Sequence, residues 1–255
     1  MSVQLYAMTC GWVTMPMKML IYGTEGKLKI PVPVYFIRHP QGTVLFDSGL
    51  SMRVQRDGAK ALGTLEPYFD IHFEENEEVS TRLADVDMDP AKIDFLVSSH
   101  LHFDHCGGND LIPNARWIIQ KREWEAATIP ESIAANSYDS ADFDLGHDRI
   151  EADGEHDVFG DGTVRCIPKH GDTPGHQSMA IETDSGPVVL CGDACYLRQT
   201  IEEMRLPSRS GVYDEAAMIA SLEKLRSLQK AGARLMYGHD PDFWSDVPQA
   251  PAALA

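Results

Sequence analysis

Short apolar runs broken by turn residues dominate this chain, with one long helical period near its end. Residues 30–36 and 43–46 are rich in β-branched and aromatic side chains and are separated by His39-Pro40-Gln41-Gly42, which predicts two strands, a turn and a β-rich first half. The stretch 74–86 has helical character. Residues 94–99 (DFLVSS) form a short apolar run of buried-strand length that delivers the chain to His100. Further strands are predicted over 117–120, 164–167, 179–182 and 188–191, the last running into Gly192-Asp193, and a short helix over 121–128. Residues 139–162 read as a polar loop or insertion without periodicity. The clearest helix spans 214–231, where Met218, Leu222, Leu225 and Leu228 recur at helical steps, Asp214 can cap the start and Gly232 can end it. A last strand, 234–237, ends at Gly238-His239. Strands and helices mixed in this order predict a layered α/β arrangement, sheets at the centre and helices outside.

Composition narrows the picture. With 255 residues, 43% hydrophobic, 24% charged and free of low-complexity tracts, the chain predicts one globular domain over 1–255. A chain of this length buries roughly three quarters of its unfolded surface, so its core needs no disulfides. The five cysteines, Cys10, Cys106, Cys166, Cys191 and Cys195, form no C-x-x-C pair, which argues against a disulfide framework or a cysteine zinc site and for a reducing cytoplasm. The N-terminus lacks a basic leader and cleavage site, and no run of 18 apolar residues exists to span a membrane. A net charge of −17 with no Lys/Arg cluster argues against a nucleic-acid partner, because polyphosphate binding depends on such clusters. A neutral or cationic small substrate fits better. Walker, G-x-G-x-x-G and G-x-S-x-G motifs are absent, so neither nucleotide binding nor a serine nucleophile is indicated.

The densest chemistry lies in SHLHFDHCGGN, residues 99–109, where His100, His102, Asp104 and His105 crowd between an apolar strand and a Gly-Gly turn. In an extended segment His100 and His102 face the same side and can chelate one ion. Asp104 and His105 fall where the chain turns, with Gly107-Gly108 supplying backbone freedom, and point to a neighbouring position. Imidazole nitrogen and carboxylate oxygen are donors that zinc takes readily, and one catalytic ion needs about three of them. The cluster together with His176 in TPGHQS, Asp193 in CGDACY and His239 in YGHD exceeds that need, so two divalent ions are predicted, zinc being the first choice.

These motifs, in this order, resemble the metallo-β-lactamase superfamily, and most closely its N-acyl-homoserine lactonases. The resemblance runs from the VLFDSG strand at 44 to His239. It implies an αββα sandwich with the site at one edge, His100, His102 and His176 on one metal, Asp104, His105 and His239 on the other, and Asp193 bridging. Asp47 matches an early Asp-x-Gly element and is expected to support ligands. Tyr196 stands where the lactonases carry a tyrosine thought to contact the substrate carbonyl. One departure is evident. Lactonases often read TPGHTPGHQS, whereas this chain has IPKHGDTPGHQS, which suggests a longer loop with His170 as a non-ligand and an altered choice of substrate.

The implied activity is hydrolytic opening of the lactone ring of N-acyl-homoserine lactones. Hydroxide generated at the metals attacks the carbonyl, Tyr196 helps to stabilise the oxyanion, and Asp104 hands a proton to the leaving oxygen. Phe103 and the alternating Met15, Met17 and Met19 are candidates for the substrate pocket, Trp12 and Trp244 are candidates for the border of the cleft, and Cys195 is expected to be buried. Competing readings are hydrolysis of another lactone, pyridine-ring or sugar-derived, and a glyoxalase II-like thioesterase, which would be expected to show basic residues for glutathione. A diiron, non-catalytic sensor would use the same cluster. Oligomeric state is left open, a homodimer being one option.

Overall fold

A computed structural model describes residues 2–255. Among these residues, twelve strands form two sheets. In chain order they are β1 (Gln4–Pro16), β2 (Lys27–His39), β3 (Gly42–Phe46), β4 (Asp70–His72), β5 (Phe95–Val97), β6 (Arg116–Gln120), β7 (Arg149–Ala152), β8 (His156–Asp157), β9 (Val164–Pro168), β10 (Gln177–Thr183), β11 (Gly186–Leu190) and β12 (Arg234–Met236). The first sheet has the order β4-β1-β2-β3-β5-β6-β7 and the second β12-β11-β10-β9-β8. Ten α-helical segments accompany them: α1 (Met52–Arg56), α2 (Gly58–Leu62), α3 (Val79–Ala84), α4 (Phe103–Cys106), α5 (Lys121–Ala126), α6 (Pro130–Ala135), α7 (Ser140–Phe143), α8 (Arg198–Glu203), α9 (Glu215–Lys230) and α10 (Pro241–Trp244). No helix among the described residues is long and apolar enough to cross a membrane.

Side-chain alternation explains the layering. Leu5, Tyr35, Ile37, Val44, Phe46 and Val97 of the first sheet meet Val164, Met179, Ile181, Val188 and Leu190 of the second in a shared core. Their neighbours in sequence, Tyr6, Val34, Phe36, Leu45 and Leu96, face outward onto Val79 and Leu83 of α3 and Phe143 of α7. On the far side Ala180, Val189 and Leu235 pack beneath Leu222 and Leu225 of α9. Each central strand is thus apolar on both faces, which is why these strands read in the sequence as continuous apolar runs rather than as alternating ones. The result is the expected αββα sandwich.

Several expectations change in detail. Strand β1 escaped the sequence reading: it is buried along most of its length and carries a register irregularity between Thr9 and Trp12, so it offers no clean period of two. The helix expected over 74–86 is confined to α3. Residues 139–162 are not an unstructured insertion, since they contain α7, β7 and β8, and β7 extends the first sheet by pairing parallel to β6. The long helix holds, with the Asp214 side chain accepting from the Ala217 amide at 3.0 Å.

What positions the site is a set of parallel strand ends. Strands β3, β5 and β6 run parallel, as do β11 and β12. Their carboxyl ends release Asp47, His100, Asp193 and His239 on one edge of the sandwich, where α/β folds hold their ligands.

Candidate metal centre

After β5 the chain runs through Ser99 and His100 to His102, which precedes α4 in extended conformation (φ −74°, ψ 153°). His100 Nε2 and His102 Nδ1 approach to 2.8 Å. Helix α4 then presents Asp104 and His105. Gly107 and Gly108 serve close approach rather than a left-handed turn: Gly107 has an ordinary helical φ of −61°, and a Cβ at Gly108 would overlap the Ser48 carbonyl oxygen. This packing ties the histidine loop to the end of β3.

Two groups of ligand atoms emerge. His100, His102, Asp172 and Asp193 form one; Asp104, His105 and His239 form the other, with the atoms of each group within 4.8 Å of one another. Asp193 lies between them. Its Oδ2 is 3.6 Å from His100 Nε2, while its Oδ1 is 3.0 Å from His239 Nε2 and 3.3 Å from His105 Nε2. Asp104 Oδ2 lies 3.7 Å from His239 Nε2 and 3.8 Å from His105 Nε2.

The imidazoles are aimed from behind. His105 Nδ1 is 2.9 Å from Asp47 Oδ2, and His239 Nδ1 is 2.8 Å from the Pro31 carbonyl, which leaves both Nε2 atoms facing Asp193. Asp47 also accepts from the Ser99 amide at 2.6 Å and the Ser99 hydroxyl at 2.9 Å. It holds φ 60°, a strained value for a residue with a side chain and one that persists only where the surroundings over-determine it. Asp47 thus lies behind His105 and fixes the start of the histidine loop through Ser99.

Glu123 of α5, which sequence reasoning missed, is a buried carboxylate with four donors. Oε1 accepts from the Leu101 amide (3.1 Å) and the Tyr138 hydroxyl (2.7 Å); Oε2 accepts from the Thr173 hydroxyl (2.8 Å) and the Gly175 amide (2.7 Å). It clips the histidine loop to the 173–175 turn. No motif marks it, because one acid in a short helix looks like a solvated residue.

Charge shows what the cluster lacks. Among the described residues, the ion-pair partners of Asp104, Asp172 and Asp193 are histidines alone. Burial, with the Asp193 charge added, drives Asp172 well above the usual carboxylate range. Burial acts the same way on Asp193, but the facing His105 and His239 outweigh it and hold that carboxyl low. Asp172 Oδ2 is buried with no hydrogen-bond partner. A cation would satisfy that oxygen and lie against the carboxylates of Asp104, Asp172 and Asp193, so these donors fit metal ions.

His176 lies elsewhere. It is outside both groups, its Nε2 accepts the Asp193 backbone N–H at 2.9 Å, and burial pushes it down to about 3. It braces the main chain of Asp193 instead of facing the cluster, and Asp172 stands in the position expected for it. Aligned on TPGHQS, the KHGDTPGHQS segment of this chain and the TPGHTPGHQS form have equal length, so the expected longer loop is instead a replacement, with Asp172 where that form has its first histidine. This alignment was the signal available in the sequence. His170 is outside both groups.

A cavity of about 460 Å³ opens over the cluster, lined by Met15, Met19, Leu65, Phe69, Phe103 and Tyr196 among others. Met17 is not part of its lining. Strand β1 stops at Pro16 and a 3-10 turn covers Met17–Met19; the strand alternation therefore fails after Met15, and of the three methionines Met15 and Met19 reach the cavity while Met17 does not. The Tyr196 ring stacks on His239 at 6.0 Å and its hydroxyl donates to Asp172 Oδ1. Trp244 packs edge-on against Tyr35 in the core, Trp12 lies under Lys29, neither lines the cavity, and Cys195 is buried.

The sequence profile described as the metallo-beta-lactamase superfamily matches residues 29–239. The chain belongs to this superfamily. It is 34% identical over 236 residues to the N-acyl homoserine lactonase AttM of Azorhizobium caulinodans, covering 90% of this chain and 89% of that protein. Identity to the N-acyl homoserine lactonase AiiA of Bacillus thuringiensis subsp. kurstaki is 31%, covering 85% of this chain and 84% of that one. A solved N-acyl homoserine lactone hydrolase, with the product N-hexanoyl-L-homoserine bound at its catalytic metal centre, superposes with a TM-score of 0.88 at 26% identity, covering 99% of this chain and 100% of that one. The protein is a metal-dependent hydrolase of this superfamily.

Proposed function

We propose that this protein hydrolyses the lactone ring of N-acyl-homoserine lactones with two metal ions, zinc being the expected pair. The observation that carries the two-metal part is the pairing of two donor groups across one carboxylate: Asp193 turns Oδ2 to His100 and Oδ1 to His105 and His239. His100 and His102 serve one position, Asp104, His105 and His239 the other, and Asp193 both. Bound there, a metal pair supplies an activated water and a Lewis acid for the carbonyl.

The chain's own residues do the rest. Met15, Met19, Leu65, Phe69 and Phe103 give an apolar wall suited to an acyl chain. Phe103 sits on it against Phe69, ring centroids 5.2 Å apart. Tyr196, stacked on His239, turns its hydroxyl from Asp172 to the carbonyl oxygen as negative charge develops there. Asp104 also borders the cavity, and its carboxyl returns the proton of the attacking water to the ring oxygen as the carbon–oxygen bond breaks, worth ~10²–10⁴-fold. The net change adds one water and yields a hydroxy acid. Among the described residues that line the cavity, Lys18 is the single lysine or arginine, which favours a neutral acyl lactone over a glutathione thioester. The five cysteines are free and buried, which supports a reducing cytoplasm as the working compartment.

Mass spectrometry of an N-acyl-homoserine lactone incubated with metal-loaded protein tests the reading. A product heavier by one water with its amide intact is expected. Free homoserine lactone and fatty acid would mean amide cleavage, and turnover of thioesters alone would overturn the assignment.

A further inference from the structure

We infer that Asp172, and not His176, completes the first metal position, giving the centre two matched positions of two imidazoles and two carboxylate oxygens and lowering its preference for zinc over manganese. The inference rests on the two-metal reading above and specifies its chemistry.

The geometry gives each residue one role. Asp172 Oδ2 lies 3.5 Å from His100 Nε2 and 3.7 Å from His102 Nδ1, fully buried and without a hydrogen-bond partner. Its other oxygen accepts the Tyr196 hydroxyl, so Asp172 offers a metal a single, oriented oxygen. Glu123 secures the next turn through the Thr173 hydroxyl and the Gly175 amide. His176 has its Nε2 lone pair occupied by the Asp193 amide and cannot ligate through that atom without releasing the backbone that carries Asp193.

Both positions then have the same donors. The first takes His100, His102, Asp172 and one oxygen of Asp193; the second takes His105, His239, Asp104 and the other oxygen. Replacing an imidazole by a carboxylate adds negative charge and a hard oxygen. Carboxylates suit magnesium and manganese, imidazoles suit zinc, iron and copper, and zinc keeps the larger intrinsic affinity for any such set. The consequence is a narrowed gap between the two metals, equal at both positions.

The test is metal exchange on the intact protein. Metal-free protein is loaded with zinc and titrated with manganese, following bound Mn²⁺ by electron paramagnetic resonance and released zinc with a chromophoric chelator. In the wild-type protein both zinc ions exchange in one phase. In Asp172→His the curve splits, and half of the zinc needs at least about tenfold more manganese, at the low end of the 10–100-fold range that changes around a metal produce. His176→Gln, whose amide oxygen can still accept the Asp193 N–H, exchanges like the wild type. Asp172→Asn keeps the side chain's size and its acceptor for Tyr196, and retains one zinc instead of two; it serves if the histidine variant does not fold. A wild-type curve already split, and merged by His176→Gln, would give the ligand role to His176. Exchange unchanged in Asp172→His, or two zinc ions held at wild-type affinity by Asp172→Asn, would remove Asp172 from the centre. A wild-type protein that binds fewer than two ions would instead overturn the two-metal reading itself.

Discussion

The two sheets furnish the candidate centre in different ways. The first delivers His100, His102, Asp104 and His105 from one loop of residues 99–109, held by Asp47 at the end of the neighbouring strand. The second contributes separated residues: Asp172 after β9, Asp193 after β11 and His239 after β12. A contiguous loop carries much of its geometry locally, through alternation and one short helix. The dispersed donors depend on β9, β10, β11 and β12 lying side by side, so they converge only after the second sheet has assembled. Glu123 joins the two regions, bonding Leu101 on one side and Thr173 and Gly175 on the other.

Removing Asp193, the second sheet's carboxylate that faces both donor groups, has the largest expected effect. Asp193→Ala is predicted to lower metal content from two ions toward none and to reduce turnover by more than the ~10²–10³-fold that loss of a single oxyanion donor costs. Elemental analysis after gel filtration, with kinetics on the same sample, checks both. Retention of two ions and full activity would show that Asp193 is not the carboxylate common to both positions.

Next comes the connection itself. Glu123→Ala strands four donors in a buried place, and an unsatisfied buried donor costs ~1–3 kcal/mol; a loss of about 3 kcal/mol in urea denaturation is predicted. Glu123→Gln, whose amide oxygen can still accept, loses less. Equal stability of the alanine variant and the wild type would show that the two regions hold their places independently.

Tyr196→Phe removes none of the proposed ligands and deletes only the hydroxyl, which donates to Asp172 Oδ1. We expect kcat to fall roughly tenfold, about 1.4 kcal/mol of transition-state stabilisation, with metal content unchanged. Wild-type kinetics would leave the phenol with its bond to Asp172 and no part in turnover. The smallest effect is expected at the cavity wall. Met19→Ala removes apolar surface from the acyl pocket at ~0.8 kcal/mol per buried methylene, so KM should rise a few-fold for long acyl chains and stay constant for short ones. Met17→Ala should leave both unchanged, and a reversal of the two would put Met17 in the pocket.

How much of this was legible follows the same division. The strands 43–46, 164–167 and 188–191 and the helix 214–231 could be read because their periods are strong and their turns carry Gly, Pro or Asp. The loop 99–109 could be read because ligand types crowd within a few positions. Strand β1 could not, since a strand buried on both faces and interrupted at Thr9/Trp12 leaves no alternation to detect.

By itself the sequence determined the superfamily, the layered α/β fold, and the candidate donors in the 99–109 loop and at the strand ends, Asp193 and His239, because each is written in neighbouring residues or in a motif of fixed order. Only the tertiary structure decided among candidates of similar appearance. It turned Asp172 toward His100 and His102 and gave His176 to the Asp193 amide. It kept Met15 and Met19 on the cavity, left Met17 off it, and drew Glu123 into the support of the site. The physical reason is that a side chain's partner is set by which strands become neighbours and where a strand stops, and neither is encoded in the spacing of the residues that finally meet.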